Sequence, residues 1–121
     1  MSGTTQKVLV IEDEKSLASA LQLKLAKEGY EVGVAHDGKA ALELMSHKHY
    51  DIALLDLVMP IMNGFEVLTA ARKLPDPPIF IMLSNLTQPE DIERCIALGA
   101  RKFLVKSDTS LAALIGEIKN L

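Results

Sequence analysis

DIALLDLVMPIMNG, residues 51–64, encloses four uninterrupted apolar residues, Ile52 to Leu55, between two aspartates, then turns through Pro60 towards Asn63 and Gly64. A run this short has no polar face, so it reads as a strand, Asp51 to Asp56, buried on both sides as parallel strands under crossover helices are. Asn63 is placed to cap a helix over Gly64 to Lys73. Outward from this centre the pattern recurs. Lys7 to Ile11 precedes a helix near Lys15 to Glu28, where Leu17, Leu21 and Leu25 line one face and Gly29 offers a left-handed stop. Glu31 to Ala35 precedes a helix near Gly38 to His47, with Asp37 as its N-cap. Ile79 to Ser84 precedes a helix opened by a capping box of Thr87 and Glu90 and ended by Gly99. Lys102 to Lys106 runs into a last helix with Leu111, Leu114, Ile115 and Ile118 at helical spacing. These repeats predict an α/β domain: a five-stranded parallel sheet with helices on both faces.

Length and composition agree with one such domain. The chain has 121 residues, 49% of them hydrophobic, enough core to fold without a disulfide. Residues 1–6 read as a short tail and 7–121 as a single domain with no output domain. No apolar stretch approaches a membrane span, and MSGTTQ lacks the features of a signal peptide, so a soluble, cytoplasmic protein is expected. The single cysteine, Cys95, falls with Ile92 and Ile96 on the side of its helix expected to be buried. A net charge of −3 with scattered basic residues gives no footprint for nucleic acid.

Four of the five apolar runs stop on residues suited to phosphoryl chemistry: Glu12 and Asp13, Asp56, Ser84, and Lys106. Ligands of open parallel sheets bind beyond the carboxyl ends of the strands, where the winding reverses. In the strand order 2-1-3-4-5, strands one and three flank that crevice and bring Glu12, Asp13 and Asp56 together. Three anions repel unless protons or a cation intervene, and Mg²⁺, a hard ion that takes one or two carboxylates, waters and a phosphate, suits such a crevice. Asp13 and Asp56 are the candidate direct ligands, with Glu12 acting through water. Ser84 and Lys106 then complete a pocket for a phosphoryl group carried on Asp56. Taken singly, the acidic run is explained by a helix dipole, Asp56 by a turn and Lys106 by solvation. Their joint placement at strand ends favours a site. His47 and His49 read as a solvated helix end, and His36 receives no role.

Over nearly its whole length the sequence resembles the receiver domain of two-component response regulators. The resemblance is carried by Glu12 and Asp13, by DLVMPIMNG from Asp56 to Gly64, by Ser84 after its apolar run, and by Lys106 after FLV. It implies a flavodoxin-like fold in the order given. It further implies that Asp56 accepts a phosphoryl group from a histidine kinase or histidine phosphotransfer protein, with Mg²⁺ held by Asp13, Asp56 and the Val58 backbone carbonyl. Ser84 is implied to move towards the phosphoryl group, and Phe103 to occupy the family's aromatic switch position. The output would leave through the fourth helix, fifth strand and fifth helix to an unidentified downstream protein, and homodimerisation through that face on phosphorylation is an open alternative. Such a domain is a switch that catalyses its own phosphorylation and dephosphorylation, not a metabolic enzyme.

The sequence departs from the family pattern in three places. Ser107 stands where the family usually has proline after the lysine; a cis bond before serine costs about 3 kcal/mol, so a trans bond is expected, with Ser107 or Asp108 capping the last helix. Asn85 follows Ser84 where a smaller residue is usual, and is expected to narrow the phosphoryl approach or add an amide contact. Val58 and Leu86 are apolar at positions that the resemblance associates with phosphate lifetime, which suggests slow self-dephosphorylation.

Other classes fit less well. A haloacid dehalogenase-type phosphatase needs a second acid where Val58 stands, and a flavodoxin-like FMN carrier needs phosphate donors where Glu12 and Asp13 would repel. An inactive receiver acting only as an interaction module is the remaining alternative.

Overall fold

A computed structural model describes residues 5–86 and 88–121. Strands β1 (Lys7–Ile11), β2 (Glu31–Ala35), β3 (Ile52–Leu55), β4 (Ile79–Ser84) and β5 (Lys102–Val105) alternate with helices α1 (Lys15–Lys27), α2 (Gly38–His47), α3 (Gly64–Ala71), α4 (Pro89–Ala97) and α5 (Leu111–Lys119). All strand pairs are parallel, in the order β2-β1-β3-β4-β5. The alternation of side chains along each strand builds two cores. Leu9, Ile11, Ala53, Leu55, Phe80 and Met82 face one side, with Ala41, Val67, Leu68 and Cys95 from α2, α3 and α4. Val8, Val10, Ile52, Leu54, Ile81 and Leu83 face the other, with Leu21 and Leu25 of α1 and Leu114, Ile115 and Ile118 of α5. Burial pushes the Cys95 thiol up to about 11, as expected of a core cysteine. Ile96, expected beside it, is instead exposed.

Local chemistry explains most element ends. Asn63 and Glu66 form a reciprocal capping box at α3, and Asp37 caps α2 by accepting the Ala40 N–H at 2.8 Å. Gly29 and Gly99 take positive φ after α1 and α4. The proposed Thr87 cap lies outside the described residues; α4 has Gln88 at its N-cap, without a side-chain cap bond, and Pro89 in its first turn. No cis peptide bond occurs among the described residues. Capping of the last helix by Ser107 or Asp108 is not what forms. Lys106–Asp108 makes a 3₁₀ turn first, and Ser110 caps α5 by accepting the Ala113 N–H. Asp51 ties β3 to β1 by accepting the Lys7 N–H at 2.7 Å, and that bond holds its carboxyl below the usual range.

The loop after β3 carries one strained residue. Ile61 has φ 70°, and the Met62 N–H donates to the Pro60 carbonyl at 2.7 Å, the pattern of a γ-turn centred on a β-branched side chain. Ile61 is 76% exposed, so little burial offsets the strain. Ile61→Gly is expected to raise unfolding stability by about 1 kcal/mol in urea titrations, strain release outweighing the added chain entropy. Unchanged or lower stability would show that the turn holds no strain.

Candidate functional site

The strand ends supply the site. Asp56 follows β3 directly, and its N–H donates to the Ile11 carbonyl at 3.3 Å, which sets it beside Glu12 at the end of β1. Glu12 in turn is held through its own N–H, which donates to the Ala35 carbonyl of β2 at 3.0 Å. Ser84 closes β4, paired in register with Val105, and Lys106 follows. Among the described residues, the buried polar or charged side chains are Glu12, Asp56 and Ser84, all at this one edge. Burying carboxylates is costly, so their concentration here marks a place organised for chemistry rather than stability.

Lys106 Nζ reaches both carboxylates, 2.8 Å from Glu12 Oε1 and 3.0 Å from Asp56 Oδ2. Glu12 Oε2 accepts the Glu14 N–H at 3.0 Å, and Asp56 Oδ1 accepts the Val58 N–H at 3.3 Å. Burial pushes Glu12 above the ordinary carboxylate range and the Asp56 charge adds to this, against the opposing bonds from Lys106 and the Glu14 amide. Burial alone would pull Lys106 down, but the two carboxylates outweigh it and hold the ammonium above its usual value.

Glu12, Asp13 and exposed Asp13's neighbour across the crevice, Asp56, each offer a carboxylate oxygen within 4.8 Å of the others. An all-oxygen, net-negative donor set fits a hard divalent cation. This is the one group of three or more such side chains among the described residues. His47 pairs with Glu43, and His49 lies 3.1 Å from both Asp51 and Asp76, away from this edge. His36 Nδ1 lies 3.1 Å from the Glu12 carbonyl oxygen, a contact with backbone rather than with the acidic side chains.

The remaining predicted residues lie at the end of β4, on β5 and on the loops that follow β3 and β4. Ser84 Oγ accepts the Leu86 N–H at 3.2 Å and keeps its own proton available to donate. Val58 is exposed, Leu86 half-buried against the core, and Phe103 half-buried on the same side of the sheet. Asn85 Oδ1 accepts the Ser107 N–H at 2.8 Å. That pairing has no sequence signature beyond the absence of proline at 107, which leaves an N–H to be bound.

The profile of the response regulator receiver domain matches residues 8–118. The chain belongs to this family. Among solved structures, the receiver domain of the Francisella response regulator 1452 is 32% identical, with a TM-score of 0.87, over 95% of this chain and 94% of that one. The chemotaxis response regulator CheY4 of Vibrio cholerae is also 32% identical, with a TM-score of 0.89, over 97% and 98%. A CheY-like receiver domain protein of Methanospirillum hungatei is 26% identical, with a TM-score of 0.91, over 97% and 93%. As a receiver, the chain is a signalling module of two-component systems whose acidic pocket is compatible with Mg²⁺. No described helix of this receiver is long and apolar enough to cross a membrane.

Proposed function

We propose that this receiver is a phosphorylation-activated switch in which Asp56 accepts a phosphoryl group from a histidine kinase or histidine phosphotransfer protein. The observation that carries this reading is the confinement of buried polar side chains, among the described residues, to Glu12, Asp56 and Ser84, with Lys106 bonded to two of them. A carboxylate oxygen of Asp56 attacks phosphorus, forming the O–P bond as the N–P bond to the donor imidazole breaks, and the imidazole leaves with the electron pair. Asp13, Asp56 and the Val58 carbonyl would hold Mg²⁺, with Glu12 acting through water. When bound, the ion supplies positive charge to the phosphoryl oxygens. Lys106 and Ser84 supply two further donors to the group on Asp56. Val58 and Leu86 flank this pocket with apolar side chains that restrict water and lengthen phosphate lifetime. Rearrangement of Ser84 and Phe103 would alter the α4-β5-α5 face that a downstream protein reads. The protein turns over no external substrate beyond its own phosphate and works in the cytoplasm.

Intact mass after incubation with a small acyl phosphate tests the reading. One added phosphoryl group is expected with Mg²⁺ and none with excess EDTA. No gain in either condition would favour an inactive receiver used only as an interaction module.

A further inference from the structure

The bond between Asn85 and Ser107 joins the residue after the phosphoryl-site hydroxyl to the residue after the phosphoryl-site lysine. Asn85 lies in the β4–α4 loop directly after Ser84, and Ser107 lies in the 3₁₀ turn directly after Lys106. Both residues are exposed, so the contact contributes nothing to either core. The first N–H groups of a helical turn have no acceptor within it. Here the Ser107 N–H finds one in Asn85 Oδ1, 22 residues earlier, at 2.8 Å. The far side of the turn is fastened separately, the Thr109 hydroxyl donating to the Val105 carbonyl at 2.8 Å. Asn85 is therefore the side chain that fastens the Lys106 end of this turn to the loop carrying Ser84.

We propose that Asn85 is a positioning residue: through the Ser107 N–H it keeps Ser84 and Lys106, the two protein donors to the phosphoryl group, in register. The inference rests on the switch reading above. It assigns a role that only a non-proline residue at 107 permits, since proline has no N–H to give. Ser84 and Lys106 then approach the group on Asp56 as one unit, and a displacement of Ser84 is carried into the turn that leads to α5.

A double-mutant cycle tests this. Asn85→Ala and Ser107→Pro are each expected to slow Mg²⁺-dependent phosphorylation by roughly three- to fivefold, the worth of one hydrogen bond. The double variant is expected to be no slower than the slower single variant, because both changes remove the same bond. Ser107→Ala, which keeps the N–H, is expected to match wild type. Thermal midpoints measured alongside keep rate effects apart from unfolding, and should Ser107→Pro fail to fold, the contrast between Asn85→Ala and Ser107→Ala stands alone. The Ser107 amide is followed by NMR hydrogen exchange as well. Exchange is expected to accelerate in Asn85→Ala and to stay slow in Asn85→Asp, which keeps an acceptor oxygen. Additive rate losses, a wild-type rate in Asn85→Ala, or equal Ser107 exchange in wild type and Asn85→Ala would overturn the proposal. If wild type itself takes up no phosphoryl group, the switch reading fails and the positioning role fails with it. A phosphorylated wild type with unaffected Asn85→Ala overturns the positioning role alone.

Discussion

Asp56→Asn is expected to take up no measurable phosphoryl group from a small acyl phosphate under conditions that modify wild type, a loss of at least about 100-fold in initial rate. The amide oxygen carries no full charge to attack phosphorus, and the neighbouring carboxylates are poorly placed to replace it. Both Glu12 oxygens are engaged, by Lys106 and the Glu14 amide, and Asp13 lies exposed at the rim. The same variant is expected to unfold at higher urea in EDTA, by about 1 kcal/mol, because it leaves two carboxylates in the crevice where wild type has three. Lys106 retains Glu12 at 2.8 Å, so no ammonium is stranded. Added Mg²⁺ should then stabilise wild type more than the variant. Residual phosphorylation of Asp56→Asn would place the acceptor elsewhere, and a loss of stability would mean that the Lys106–Asp56 pair outweighs the repulsion it sits among.

The parts of this receiver that were legible in sequence are those governed by burial. Val8 to Ile11, Ile52 to Leu55 and Ile79 to Leu83 are too apolar to be anything but strands covered on both faces, and each ends where a polar residue must meet the sheet edge. That rule alone located Glu12, Asp56 and Ser84. What stayed hidden depends on single contacts rather than patterns. Ile61 contradicts its own local preference by taking φ 70°, which propensity reads as an error. Ser110 rather than Ser107 or Asp108 caps α5 because a 3₁₀ turn consumes the residues between β5 and that helix. The sequence offers the Ser107 N–H by lacking proline there, but only the fold brings Asn85 Oδ1 to it from 22 residues away.

Gly64→Ala is expected to lower unfolding stability by at least about 2 kcal/mol, against a helix propensity that favours alanine by about 1 kcal/mol. Gly64 begins α3, and its φ is not among the positive values, so conformational freedom is not what the position needs. Close approach is. A Cβ there would stand 2.7 Å from the Asp56 carbonyl oxygen and 2.9 Å from Leu57 Cα, both backbone atoms that cannot rotate aside. The Gly64 N–H meanwhile donates to the Leu57 carbonyl at 2.8 Å, clamping the start of α3 onto the end of β3. Relief of the contact must therefore move either the helix start, which the Asn63–Glu66 box fixes, or the backbone of Asp56 itself. Movement of Asp56 would disturb its bonds to Lys106 and to the Val58 N–H together, and misplacement by about 1 Å is enough to cost reactivity of order 100-fold. Urea unfolding and the initial rate of Mg²⁺-dependent phosphorylation, measured where the variant is fully folded, separate the two consequences, and the rate is expected to fall at least about tenfold. If stability instead rises by the propensity difference and the rate is unchanged, the loop between Asp56 and Gly64 is loose enough to absorb a methyl group, and the packing of α3 cannot be what positions Asp56.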